Sequence, residues 1–563
     1  MPDPPVALAA PRGPGPRTAP LRVLLVGALA LAGAVALAAQ AGPGAATTGG
    51  AVGSPARPDA GARLRTEAVL RRAVSEPTTL DPLRYGSGND FAILSDLFTG
   101  LTAFGPDGAI VPGCAARWRA SADGLRWSFE LRPGLTWSDG TPLTAEDFVW
   151  SARRYLDPKT AGLLAFRFKA LRQAAPIAAG RQPAATLGVS APDARTVQVD
   201  LDYPQLDLPS LMAVMLPAPR HRIEQFGDAW TRPEHWVSNG AFVLRSRTVG
   251  DRIVLARNPR FVDAASVHLD RVELVIAEAA AAFPRYRARQ LDITRVVPEA
   301  VSWARAQAPG ELRQAASRST TFVLFNARHP PFDDARVRRA LSLAIDRDAL
   351  ARQVRGGDAE PAWTFVAPTT RGYIPTRGPA WRDWSEAQRL QEARKLLAQA
   401  GYGADRRLEL QLDFIAGTLE RRDAIALAAM WRRIGVQAEP RSSDARTLYG
   451  NLEHGAFEAA STSIAPMLPG PMIWFEVLGT EGARRYGGWN NAAFDALLDN
   501  ARRARSVEER TGFLRRAEAL VLEEQPIAPL VFPAWQELVS SRVTVFPDNL
   551  TSIRQSRWLA VEP

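Results

Sequence analysis

The stretch Thr320–Val354, TTFVLFNARHPPFDDARVRRALSLAIDRDALARQV, constrains the fold most. Its opening is apolar and β-prone around Phe322 and Leu324, which predicts a buried strand. Pro330-Pro331 cannot continue a hydrogen-bonded ladder, so the chain turns there. Asp333 or Asp334 then caps a helix that places Val337, Leu341, Ala344, Ile345 and Ala349 on one face. Arg336, Arg338, Arg339 and Arg347 fall mostly off that face, and Gly356-Gly357 ends the helix. A strand that turns straight into an amphipathic helix is an α/β unit. The chain has 563 residues, 46% of them apolar, which is enough for more than one such domain.

Charge and the N-terminus bear on compartment and partners. The net charge is +10, and almost all of the cations are arginine, since Lys159, Lys169 and Lys395 are the only lysines. No basic block carries interleaved aromatics, so a nucleic-acid partner is not expected. Arg12, Arg17 and Arg22 precede an apolar run from Val23 to Ala39, and Ala39-Gln40-Ala41 is a small-x-small site. That is the pattern of a signal peptide over 1–41 and of export to the periplasm, with an uncleaved N-terminal anchor as the alternative. Residues 42–67 are rich in Gly, Pro and Ala and form a flexible linker. The single cysteine, Cys114, excludes an intramolecular disulfide and reads as a small buried residue.

The rest of the chain alternates strand and helix signals. Leu70 to Val74 predict a strand, followed by Ser75-Glu76-Pro77-Thr78-Thr79-Leu80-Asp81-Pro82 and a helix from Asn89. A hairpin is expected on Pro106-Asp107-Gly108. In ARWRASADGLRWSFELRPGLTWSDGTPLTAEDFVWSARRYL, Trp127, Phe129 and Leu131 alternate with polar residues, and Thr144 to Asp147 form a capping box. Residues 236–258 predict a hairpin turning at Gly250-Asp251. Ser385-x-x-Gln388 and Ser506-x-x-Glu509 cap two further helices, and PLVFPAW returns as a strand. The W-S-D-G-x-P segment with its capped helix, S-E-P-T-T-L-D-P, S-N-G-A-F and the strand-to-helix crossing at 320–354 together resemble the extracytoplasmic solute-binding proteins of family 5, the oligopeptide- and dipeptide-binding subunits of ABC importers.

That resemblance spans roughly 68–560. It implies a two-lobed α/β clam-shell of the periplasmic-binding-protein class, type II, with mixed sheets and an extra subdomain. Lobe I would comprise 68–88, 218–318 and 533–563, the extra subdomain 89–217, and lobe II 319–532. It also implies a monomer that captures a peptide between the lobes and delivers it to permease and ATPase subunits. A non-peptide solute such as an opine, sugar or metal chelate is the alternative, followed by a periplasmic chaperone or hydrolase.

No catalytic signature is present: no G-x-S-x-G, Walker A, H-E-x-x-H or C-x-x-C. His221, His235, His268, His329 and His454 are dispersed, so neither a metal site nor a cofactor is expected, and the chain is not expected to be an enzyme. The resemblance places ligand contacts at Glu76, Pro77 and Thr78, and at a second strand near Ser463, Ile464, Ala465 and Met467; Asn239 and Phe365 complete the candidate set. Peptide binders of the family carry an aspartate in that second strand, which pairs with the ligand's α-ammonium. Here AASTSIAPMLPGPMIW contains no acid, and the aspartate's place falls at Ala465 or Met467. The family's cysteine near Ser319 is also missing. A buried ammonium without a counter-charge costs about several kcal/mol. The expected ligand is therefore a blocked peptide, an uncharged solute or an anion, with Arg355, Arg371 and Arg441 as candidates for a carboxylate.

Overall fold

The computed structural model describes residues 66–160, 162, 165–466, 470–480, 486–547 and 554–563. The expected leader and most of the linker lie outside the described residues.

One long strand, Ile527–Val539, is the spine of a twelve-stranded mixed sheet. Its first half pairs antiparallel with Thr320–Phe325, from Leu324 opposite Ile527 to Thr321 opposite Val531. Its second half pairs with Leu312–Ala316 and Ile293–Arg295. Beyond Thr320–Phe325 the sheet continues through Ala459–Ile464, Leu408–Ile415 and Val436–Ser443. Beyond Ile293–Arg295 it continues through Val69–Val74, Arg271–Ile276, Arg252–Arg257 and Phe242–Thr248. The sheet therefore has two halves. Among the described residues, only the spine strand and the short link from Ala316 to Thr320 carry the chain between strands of the two halves.

Each half has its own apolar cores. Two clusters draw only on residues 322–531, with Phe325, Leu341, Trp431 and Phe475 among them. Two others draw on 68–312 and on residues from 538 onward, with Leu70, Trp137, Trp230 and Tyr286. A separate four-stranded antiparallel sheet, Ala115–Ala120, Arg126–Leu131, Thr196–Asp200 and Val189–Asp193, packs into the larger of these.

Local chemistry explains the elements. Thr320–Phe325 lies between two other strands and all six of its residues are buried, hence the apolar run from Phe322 to Phe325. Leu408–Ile415 keeps one polar face, with Glu409 and Gln411 exposed between buried Leu408, Leu410 and Leu412. It runs parallel to Val436–Ser443, and parallel strands need a crossover; the helix Thr418–Arg432 supplies it by burying Ala424, Leu427 and Trp431. The capping boxes at Thr144/Asp147 and Ser385/Gln388 form as expected. The Pro106-Asp107-Gly108 hairpin also forms, and Gly108 takes the positive φ of 76° that its turn requires.

The helix expected to run from Asp334 to Gly356 is interrupted. Asp334 does cap Ala335–Leu343, but Asp346 opens a second turn at Arg347–Ala349. Arg347 causes the break. The residue is 2% exposed and its guanidinium donates hydrogen bonds to the carbonyls of Ser342, Ile345, Ala362 and Pro529. It also packs against the rings of Trp363 and Trp381, 4.9 and 5.1 Å away. Arg338 is likewise buried, donating to the carbonyls of Phe332, Asp333 and Glu524. Backbone acceptors from other elements pull both side chains inside, and helical periodicity alone does not show these acceptors.

Candidate ligand-binding cleft

The link Ala316–Thr320 and the middle of the spine strand mark where the two halves meet. Ion pairs join facing surfaces there. Arg371 Nη2 lies 2.7 Å from Asp107, which sits in the turn of the hairpin formed by Thr102–Phe104 and Ile110–Pro112. Arg510 Nη1 lies 2.7 Å from Asp207, and Arg305 Nη2 lies 2.7 Å from Asp358. Arg510 is only 5% exposed, so its pair is shielded from solvent, whereas Arg371 and Asp107 are about half exposed. Beside the Arg510–Asp207 pair is a cavity of about 60 Å³ bordered by Lys169, Tyr203, Met472, Glu476 and Arg502.

The candidate contact residues fall into distinct environments. Glu76 accepts hydrogen bonds from Arg247 Nη2 and the Gly250 amide, each at 2.8 Å. Partial burial opposes its charge, but these bonds outweigh it and hold the carboxyl below the ordinary range. Pro77 is buried, while Thr78 is exposed and donates its amide and hydroxyl to Asp90. Asn239 is 4% exposed; its amide group exchanges hydrogen bonds with both backbone atoms of Thr99 and donates to Cys114 Sγ. Arg355 and Asp423 form a buried ion pair, and Arg441 pairs with Asp413. Phe365 is fully buried, edge-on to Phe322 and Trp474 at 5.5 and 5.6 Å.

The second strand ends at this junction. Thr320 is opposite Ile464 and Thr321 opposite Ser463, whose hydroxyls lie 3.0 Å apart. Ser463 and Ala465 are exposed and Ile464 is half-buried. Met467 lies outside the described residues. Thr320–Ile464 closes the ladder, so Ser319 and Arg318 precede its end on one side, and Ala465 and Pro466 follow it on the other.

Two residues at the junction went unremarked in the sequence. Glu518 is wholly buried and accepts hydrogen bonds from the amides of Phe365, Val366 and Thr376 and from the Tyr373 hydroxyl. It thereby fixes the loop that carries Thr370 and Arg371. Burial raises its carboxyl above the ordinary range. The second residue is Arg318, 5% exposed. Neither has a local signal: Glu518 sits in a regular helix, and Arg318 sits in a short polar link. Among the described residues, no group of three or more His, Cys, Asp or Glu side chains is placed to hold a metal ion.

Comparison with known proteins fits this geometry. Residues 109–484 match the model of the bacterial extracellular solute-binding proteins, family 5. The chain belongs to that family. It is 34% identical over 481 residues to the probable deoxycholate-binding periplasmic protein YgiS of Escherichia coli, covering 84% of this chain and 89% of that protein. It is 32% identical over 474 residues to the periplasmic oligopeptide-binding protein OppA of Salmonella typhimurium, covering 83% and 87%. The solved structure of the Escherichia coli murein tripeptide-binding protein MppA superposes with a TM-score of 0.78 at 31% identity, covering 88% of this chain and 98% of that one. The two-lobed α/β periplasmic-binding-protein fold expected from the sequence is borne out.

Proposed function

We propose that the chain is the solute-capturing subunit of an ABC importer, holding a peptide or peptide-like solute between its halves and passing it to a membrane permease coupled to ATPase subunits. The observation that carries this reading is the junction itself. Two backbone crossings join the halves, ion pairs bridge their facing surfaces, and a strand end with Ser463 and Ala465 exposed lies there. Hinge closure about such crossings encloses a ligand, and exposed strand edges pair with an extended peptide main chain. The printed names of OppA and MppA as peptide binders support the ligand class. Thr78, Ser463, Ile464 and Ala465 are the proposed contacts, with Glu76 and Pro77 behind them. Asn239, Arg355 and Phe365 support the surrounding fold through the partners described above.

The absence of any acid from residues 459–475 favours a ligand held without an ion pair to a free α-ammonium. Together with the name of the YgiS relative, it supports a second reading, a non-peptide carboxylate such as a bile acid. The leader over 1–41 is proposed to be cleaved on export to the periplasm, the compartment named for these relatives.

The test is to incubate the mature chain, beginning at Gly42, with free and N-acetylated tripeptides and deoxycholate. Unbound solute is removed by gel filtration and the bound fraction is identified by mass spectrometry. Recovery of one unaltered solute per chain is expected. Retention of none, or release of hydrolysed products, contradicts the reading.

A further inference from the structure

The fold shows how it treats a buried arginine whose role is structural. Arg347 is 2% exposed and every guanidinium nitrogen has a partner. Arg355 is buried against Asp423, and Arg510 against Asp207. Arg318 is handled differently. It is 5% exposed, its Nε and Nη2 are buried without a hydrogen-bond partner, and among the described residues no carboxylate pairs with it. Its charged neighbour is another cation, Arg371; burial first and that neighbour second push its pKa down to about 10. A charged group left this way is costly unless something else completes it.

Its surroundings suit a ligand. Arg318 lies on the crossing link, two residues before the strand end at Thr320–Ile464. The Thr369 hydroxyl donates to the Ser317 carbonyl at 3.0 Å, so the Thr369–Arg371 loop is tied to the link. Thr370, in that loop, is 3% exposed and its hydroxyl also lacks a partner. Arg371 reaches across the junction to Asp107. Two orphaned polar groups, Arg318 and Thr370, thus come from adjoining segments at the place where the halves close.

We propose that Arg318, with Thr370 beside it, is an anion-recognition subsite that binds a carboxylate of the captured solute. An ionised carboxylate would accept from Nε and Nη2 together, the fork geometry for which guanidinium is suited. This deepens the solute-binding reading and rests on it.

The test uses two acid–amide pairs: acetyl-trialanine and its C-terminal amide, and decanoate and decanamide. Binding to the full mature chain is followed by calorimetry and thermal melting. Each acid is expected to bind roughly tenfold or more tighter than its amide, the usual worth of a charge-assisted hydrogen bond. Arg318→Gln is expected to erase that preference, and Arg318→Lys to restore part of it. The pair that binds distinguishes a peptide carboxylate from a lipid-like one. A binding site trades stability for function, so Arg318→Met is expected to melt higher than the wild type without ligand. Equal binding of acid and amide, or an acid preference that survives Arg318→Gln, overturns the subsite and leaves the transport reading standing. If none of the four probes binds, solute capture itself is in question. The melting temperature of Arg318→Met then decides for the subsite: a rise supports it, and no change or a fall overturns it.

Discussion

At the scale of single residues, buried polar groups separate structural roles from ligand roles. Asn239 occupies the S-N-G-A-F motif that resembles the family, and its partner Thr99 lies 140 residues away in sequence. Asn239→Ala would leave the Thr99 amide buried without its acceptor and its carbonyl with only the Cys114 thiol as donor, a loss of about 1–3 kcal/mol measurable by chemical denaturation. Cys114 is 2% exposed, and burial pushes its thiol up to about 12 despite the Asn239 hydrogen bond. It is expected to resist iodoacetamide at pH 8 in the folded protein and to react on unfolding. Asp96 gives a pH signature. Burial pushes its carboxyl from 3.8 up to about 6, against the pull of Arg72 and the Ser556 hydrogen bonds. The folded state then binds the proton more tightly than the unfolded state does. The stability contributed by this group is complete below the unfolded value and is lost as pH rises through about 6. Relative to wild type, Asp96→Asn should therefore gain about 3 kcal/mol as pH rises through that window, read from denaturation at each pH. Residue type alone shows the burial of Cys114 but not the roles of Asn239 and Asp96. The motif marks Asn239 as distinctive, but only long-range packing shows that Asn239 braces a helix end and that Arg318 is left bare.

At the scale of elements, much was legible in the sequence because local chemistry set it. The capped helices at Ala145–Leu156, Glu386–Gln399 and Val507–Glu524 follow their Thr or Ser signals, and Arg126–Leu131 follows its alternation. The break between Ala335–Leu343 and Arg347–Ala349 was not legible, because carbonyls up to 182 residues away set it through Arg347. The same holds for the loop from Phe365 to Thr376, which has no regular structure of its own and depends on Glu518. Glu518→Ala should expose its amides, and hydrogen exchange in residues 365–376 should rise while the helix Glu386–Gln399 stays protected. Unchanged exchange in that loop would mean that Glu518 does not organise it.

At the scale of the whole molecule, the comparisons bear out the two-lobed α/β fold that the sequence resemblance implied. The bridging ion pairs were not foreseeable, since each joins segments far apart in the chain. Exposed pairs such as Arg371–Asp107 contribute only about 0–1 kcal/mol and weaken with salt, while breaking the shielded Arg510–Asp207 pair leaves a charge uncompensated and costs more. Arg510→Ala should therefore shift the protein toward an opened form, seen as a larger radius of gyration in small-angle scattering; an unchanged radius would argue that the pair does not hold the halves together. The central claim is that this chain captures a solute in the manner of its family without an acid for the ligand's α-ammonium. Titration calorimetry of trialanine against acetyl-trialanine tests it most directly. One-to-one binding is expected, with the acetylated peptide held at least as tightly as the free amine. A free amine that binds about tenfold or more tighter, or no binding of either peptide or of deoxycholate, would overturn that claim.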